Sequence, residues 1–279
     1  MAACWLPVAM SNNTNPIVIS YGGGTNSTAL LWGMHEKGIQ PDLVLFADTG
    51  GEMPGTYLHV GQVREWALGL GWDFRIVSNA DPFPRKRHKH KSLEDECYNN
   101  TTLPSLAFGF KGCSAKWKRQ PMDRAVKEWG LAKATWEAGG KVERWIGIDA
   151  DEAHRSAKLE ESDDPLFIYR RPLIDWDWGR DECVEALARS PFAQPGKSAC
   201  FFWPAAKKRE VFALAREHPD LFARAVAMEE HAKERLGTTK GLGRSFSWKE
   251  LVEQGDSPLY REVIEQDCGC YEGGDTDDG

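Results

Sequence analysis

The sequence contains no apolar run near the roughly 20 residues that a membrane-spanning helix requires. Its opening, MAACWLPVAM, has neither the charged start nor the long apolar stretch of a secretory leader. A helical membrane anchor is excluded, and a cytoplasmic location is the expectation. Positive charge is also short, since 35 Lys and Arg against 42 Asp and Glu leave a formal charge of −7. That balance excludes a protein that coats nucleic acid through bulk charge alone. One local basic run, RKRHKHK at 85–91, still offers a contact to a nucleic acid or a polyanionic substrate, against the commoner role of a solvated face. Cysteine is sparse and odd in number: Cys4, Cys97, Cys113, Cys183, Cys200, Cys268 and Cys270. Without an export signal these seven thiols argue against a disulfide framework and leave metal binding, redox chemistry or burial. No internal repeat is present.

What is there suffices for one large domain with a smaller appendage: 279 residues, 41% of them hydrophobic. Short apolar runs rich in β-branched and aromatic residues fall at 16–20, 43–47, 73–77, 144–148 and 166–170, and helical patterns fall near 27–37, 56–70, 121–138 and 179–190. Their alternation predicts an α/β fold, a Rossmann-like, doubly wound and mostly parallel sheet with a C-terminal helical appendage. The expected organisation is an N-terminal tail at 1–15, a nucleotide-binding domain at 16–190 and a helical, cysteine-containing region at 191–279. Residues 80–112 read as an insertion with little regular structure. Two helical segments separated near Pro219 carry Phe212, Leu214, Leu221, Phe222 and Met228 at core spacing. The stretch GLGRSFSW at 241–248 reads as a mobile lid over phosphate or as a plain connecting loop.

The segment VISYGGGTNSTAL at 18–30 places three consecutive glycines between a strand and a helix start. A bare turn there leaves N–H groups at the positive end of a helix dipole, which is an anion cradle. Ser20, Gly22, Gly23, Gly24, Thr25, Asn26 and Ser27 are the candidate phosphate contacts, with Thr28 as a further hydroxyl donor. The alternative is a tight strand-to-helix turn capped by serine. The loop has neither the lysine of a Walker A motif nor the spacing of a dinucleotide fingerprint.

GGGTNST (22–28) resembles the pyrophosphate loop of the adenine nucleotide α-hydrolase-like (PP-loop) superfamily, and in particular its phosphoadenosine phosphosulfate (PAPS) reductase branch. LFADTGGEMPGTY (45–57), CSAKWKRQP (113–121), WIGIDADEAHR (145–155) and KSACFFWP (197–204) resemble further elements of that branch, in the same order. The resemblance implies an enzyme that binds an adenine nucleotide (ATP, adenosine phosphosulfate or PAPS) and acts at its α-phosphate or an attached sulfate. It places Asp48 and Thr49 beside the adenosine with Glu52 close by, Lys118 against phosphate or a leaving group, and Arg155 as a phosphate clamp next to His154.

Two chemistries follow from the resemblance. In sulfonucleotide reduction to sulfite, the leading expectation, Cys268 in the tail DCG is the nucleophile and a thioredoxin-like reductant is the partner. In ATP-dependent activation with sulfur transfer to a nucleic acid, Cys113, Cys200, Cys268 and Cys270 hold an iron–sulfur cluster or zinc, and Mg²⁺ accompanies the nucleotide. A nucleotide-binding protein without catalysis is a third reading. It is motivated by departures from the family pattern: Gly22 stands for a serine, Asn26 for an aspartate, Asp149 for an arginine and Trp203 for a cysteine. Asp149 is expected to repel a 3′-phosphate if it faces the cleft. Cys4, Cys97 and Cys183 read as structural.

Overall fold

The computed structural model describes residues 15–80, 90–104, 112–155 and 164–255. Five strands form one sheet: β1 (Ile17–Tyr21), β2 (Leu43–Asp48), β3 (Phe74–Ser78), β4 (Val142–Ile146) and β5 (Phe167–Arg170). All neighbours run parallel in the order β3-β2-β1-β4-β5. The fold is α/β with the Rossmann-like strand order. The chain winds outward from β1 through β2 to β3, then returns to lay β4 on the other side of β1. Between β1 and β4 the connections therefore diverge, and in such sheets this crevice at the carboxyl ends of the strands receives ligands.

Period-two alternation assigns the two faces of the sheet. Ile17, Ile19 and Tyr21 of β1 pack with Val44, Phe46 and Phe74 against Leu30, Leu31 and Met34 of α1 (Thr25–Glu36), Val60 and Val63 of α2 (Pro54–Gly69), and Cys183, Ala186 and Leu187 of the helix Arg180–Ala188. Val18, Leu43, Leu45, Ala47, Val142 and Phe167 face the other way, onto Met122, Val126 and Ala132. The helical pattern at 121–138 resolves into two helices, Gln120–Glu128 and Gly130–Glu137, because Trp129 adopts an extended conformation (φ −72°, ψ 126°) between them. The insertion also differs from expectation: Leu93–Asn100 is helical. Glu94, Asp95 and Glu96 fill its first turn, where carboxylates favour the helix dipole.

The chain divides into two compact units, residues 1–93 with 111–200 and residues 94–110 with 201–279. The first holds the sheet. In the second, the helix Lys208–Glu217 ends before Pro219, which opens the helix Pro219–Ala232 at the position where its missing N–H costs nothing. Leu214, Leu221 and Met228 are buried, as their spacing requires, while Phe212 and Phe222 are half-buried. The 241–248 stretch is not a free lid. The buried Glu229 carboxylate accepts hydrogen bonds from the N–H groups of Leu242 (2.6 Å) and Trp248 (2.9 Å) and, more weakly, Lys249 (3.4 Å), pinning the loop and the start of the helix Trp248–Gly255. At Gly241 a Cβ would lie 2.3 Å from that carboxylate, which is why glycine stands there. No helix among the described residues is long and apolar enough to cross a membrane.

Replacing Glu229 with alanine strands these buried N–H groups, so Glu229→Ala is expected to lose about 3 kcal/mol of stability. Urea unfolding followed by tryptophan fluorescence checks this, and an unchanged midpoint contradicts it.

Candidate functional site

The glycine turn lies at the carboxyl end of β1, beside the crevice. Gly23 has φ +77°, a conformation that side-chain-bearing residues rarely adopt, and a Cβ on it would meet Val60 and Thr56 of α2 at 3.1 and 3.2 Å. Gly23 is thus required by the packing beneath the loop rather than by phosphate access. Gly22 is exposed, and its Cβ would meet nothing closer than Ser27 Oγ at 3.6 Å. The first-turn N–H groups of Thr25, Asn26 and Ser27 have no preceding helical carbonyl to bind, and the turn carries no acidic side chain. Across the crevice Gly147 follows β4, where a Cβ would come within 2.8 Å of Ser27 Cα. The bare Gly147 lets the start of α1 sit directly against the next strand's loop.

The hydroxyls of the loop turn inward. Ser27 Oγ donates to Gly24 O (3.1 Å) and accepts from Gly24 N (3.3 Å). Thr28 Oγ1 donates to Gly24 O (2.9 Å) and stands 3.1 Å from Tyr21 Oη and 2.9 Å from His59 Nε2. With its one proton committed, Thr28 accepts from both, which fixes the proton of His59 on Nε2. Burial lowers the His59 pKa and raises that of Tyr21, so this network is neutral. Thr25 Oγ1 accepts from Gln194 Nε2 (2.8 Å). The expected hydroxyl donors are therefore engaged with protein, and the main chain is left to meet an anion. Ser20 is half-buried within β1.

Asn26 is fixed from two sides. Its Nδ2 donates to Asp149 Oδ2 (2.7 Å), and its Oδ1 accepts from Arg180 Nη1 (3.3 Å). Asp149 is 2% exposed and also accepts from Glu152 N (2.9 Å), so it is turned into the protein and the expected repulsion of a 3′-phosphate loses its geometry. Burial raises the Asp149 pKa, and the hydrogen bonds oppose that rise.

A second polar cluster sits at the end of β2. Asp48 closes its own turn, accepting from Gly50 N (2.8 Å) and Tyr57 Oη (2.8 Å). Thr49 is buried, and its hydroxyl lies 3.2 Å from Glu52 Oε1 and 3.3 Å from Cys200 Sγ. Thr49 is turned into the protein, while Asp48 is half-buried at the strand end. Lys118 pairs with the buried Glu52 carboxylate at 2.8 Å. Burial works against the Lys118 ammonium, but Glu52 outweighs it and the pKa is raised. Lys118 is aimed by a π-helical turn, Ala115–Arg119, closed by the bond from Gln120 N to Ala115 O. Pro121 explains the widening, since its ring is incompatible with an ordinary helical bond to the carbonyl of Trp117. Burial, with the Glu52 charge, pushes the Cys200 thiol up to about 12. Cys113 is near enough to act electrostatically on Cys200 and Lys118.

The two clusters are linked by the segment 198–200. Ser198 Oγ donates to Gly22 O (2.5 Å), Met53 N donates to Ala199 O (3.2 Å), and Cys200 bridges Glu52. Of the four cysteines expected to hold a metal, Cys113 and Cys200 are near one another, and no group of three or more His, Cys, Asp or Glu side chains among the described residues is placed to hold a metal ion. Cys268 and Cys270 lie outside the described residues, as do the basic residues 85–89 and the side chains of His154 and Arg155. His90, at the end of the basic run, is buried. Cys97 and Cys183 are buried, and burial with the Asp149 charge pushes the Cys183 thiol up to about 12. Sequence reasoning missed Gly147, Arg180 and Ser198. Gly147 and Ser198 lay inside recognised motifs, whereas nothing near Arg180 marked it.

No protein-family model matches this chain, and no curated protein matches it. Among solved structures it is similar to the U34-tRNA thiolase NcsA from Methanococcus maripaludis with its 4Fe-4S cluster. The likeness has 14% identity and a TM-score of 0.37 over 93% of this chain and 83% of that one, too slight to carry an argument about function.

The packing separates two roles that the loop glycines share in sequence. Gly23→Val is expected to lower stability by about 3 kcal/mol or more through strain and overpacking. Gly22→Val should stay within about 1 kcal/mol of the parent. Chemical denaturation of both variants checks this, and equal stability contradicts the assignment.

Proposed function

We propose that this protein binds ATP at Gly22–Ser27 and activates an acceptor at the α-phosphate with release of pyrophosphate, the acceptor then taking sulfur. The observation that carries this reading is the segment 198–200, which runs from the glycine turn to a cluster of buried Thr49 and Glu52 with half-buried Lys118 and Cys200. Nucleotide phosphates and a thiol neighbourhood are thereby brought to adjacent strand ends.

Each part has a defined task. The first-turn N–H groups of α1 hold phosphate oxygens without a lysine. An acceptor oxygen attacks the α-phosphorus and the bond to the bridging oxygen breaks as pyrophosphate departs; sulfide-level sulfur then bonds to the activated carbon and AMP leaves with the former acceptor oxygen. Glu52 pairs with the Lys118 ammonium, so Lys118 is not the cation offered to the phosphates. The basic run at 85–91 supports a nucleic acid as acceptor, although its buried His90 does not contribute to a contact surface.

Sulfonucleotide reduction with a thioredoxin-like partner needs a thiolate poised for attack. Among the described residues Cys200 is held as a neutral thiol beside a carboxylate, the opposite of that requirement. The reduction reading then rests on Cys268 alone. A purely binding protein is separated from an enzyme by turnover.

Calorimetric titration of the full chain with ATP, adenosine phosphosulfate and PAPS should give binding of ATP, abolished in Gly22→Val. With total cellular RNA and sulfide present, ATP should yield AMP and pyrophosphate rather than ADP and phosphate. Sulfite release from PAPS with thioredoxin, or no affinity for ATP, overturns the reading.

A further inference from the structure

The loop binds no lysine of its own, and Lys118 is already neutralised by Glu52. Which cation meets the phosphates? Arg180 opens the nine-residue helix Arg180–Ala188, and its backbone N–H donates to Asp151 Oδ2 at 2.7 Å, which fixes where the side chain leaves the main chain. Gly179 before it is bare because a Cβ would lie 2.8 Å from the same oxygen. The Arg180 guanidinium reaches the glycine turn and gives one hydrogen bond, from Nη1 to Asn26 Oδ1 at 3.3 Å. The residue is exposed, and among the described residues it makes no ion pair. It stands at the turn whose first helical N–H groups have no helical carbonyl to bind.

The orientation of Asn26 decides this contact. A carboxylate only accepts, so the buried Asp149 takes the amide's NH₂ and leaves the carbonyl oxygen outward. That oxygen in turn only accepts, so it holds a guanidinium. The other amide orientation would set oxygen against the carboxylate and NH₂ against the cation. Asp149 therefore acts on Arg180 through Asn26, without touching it.

We infer that Arg180 is the phosphate-binding cation of the loop, held in place by Asn26 and Asp149 as positioning residues, and that it selects the polyphosphate chain of a nucleoside triphosphate. A planar guanidinium with one N–H anchored keeps further donors for two phosphate oxygens, a geometry that lysine does not reproduce. The inference rests on the proposed use of the loop for ATP.

The test is calorimetric binding of ATP and AMP to the intact protein and its variants, with folding checked by circular dichroism. Arg180→Ala should weaken ATP by about tenfold to a hundredfold and AMP by less than about threefold. Arg180→Lys should recover only part of the loss. Asp149→Asn should weaken ATP in the parent but add nothing in the Arg180→Ala background, a coupling that a merely structural role does not produce. Equal losses for ATP and AMP, or ATP affinity unchanged in Arg180→Ala while the parent binds ATP, overturn the role of Arg180 alone. A parent protein that binds neither nucleotide overturns the ATP reading and this inference with it.

Discussion

The left-handed turn at Gly23 is the constraint from which the rest of the site follows. At φ +77° the chain leaves β1 and enters α1 within four residues, with the side-chain direction at Gly23 closed off by Val60, Thr56 and Phe46. The helix start is then held against the β4 loop, where Gly147 leaves room for Ser27. That approach puts Asn26 within reach of Asp149 and Arg180. A side chain at either glycine would move the helix N-terminus away from the crevice.

Charge is handled in opposite ways at the two strand ends. At β2 the partly exposed ammonium of Lys118 pairs with the buried carboxylate of Glu52, and burial with the Glu52 charge raises the pKa of the nearby Cys200 thiol. Glu52 Oε2 is left buried without a hydrogen-bond partner, so this cluster is only partly satisfied. At the β1 and β4 ends the carboxylate is the buried partner, an amide is the relay, and the cation is left at the surface. The first arrangement holds charge in; the second presents it. Binding an anion needs the second kind, because a cation already paired offers little to a phosphate.

Much of the fold was legible because apolar runs and glycine punctuation act locally. The five strands lie within two residues of where alternation and β-branched content put them. The glycine turn was visible as a turn, and the role of Gly23 was not, since the atoms that demand its bare Cα belong to α2, more than thirty residues on. The helix Leu93–Asn100 was missed because the basic and proline-containing residues before it dominated the reading of the insertion. For Asp149 the expected repulsion depends on whether it faces the cleft, because a sequence shows charge without direction. Its partner, Asn26, reads in the sequence as a candidate phosphate contact and as the loss of an aspartate. Seen together they form one hydrogen-bonded pair. Arg180 carried no local signal at all, since its meaning comes from a contact across 154 residues of chain.

The central claim is that the main chain of the glycine turn holds the phosphates of ATP. Amide hydrogen exchange measured residue by residue, without ligand, with adenosine and with ATP, addresses those N–H groups directly. The account predicts that ATP slows exchange at Thr25, Asn26 and Ser27 while adenosine leaves them unchanged. Slowed exchange elsewhere with these three unaffected would contradict it.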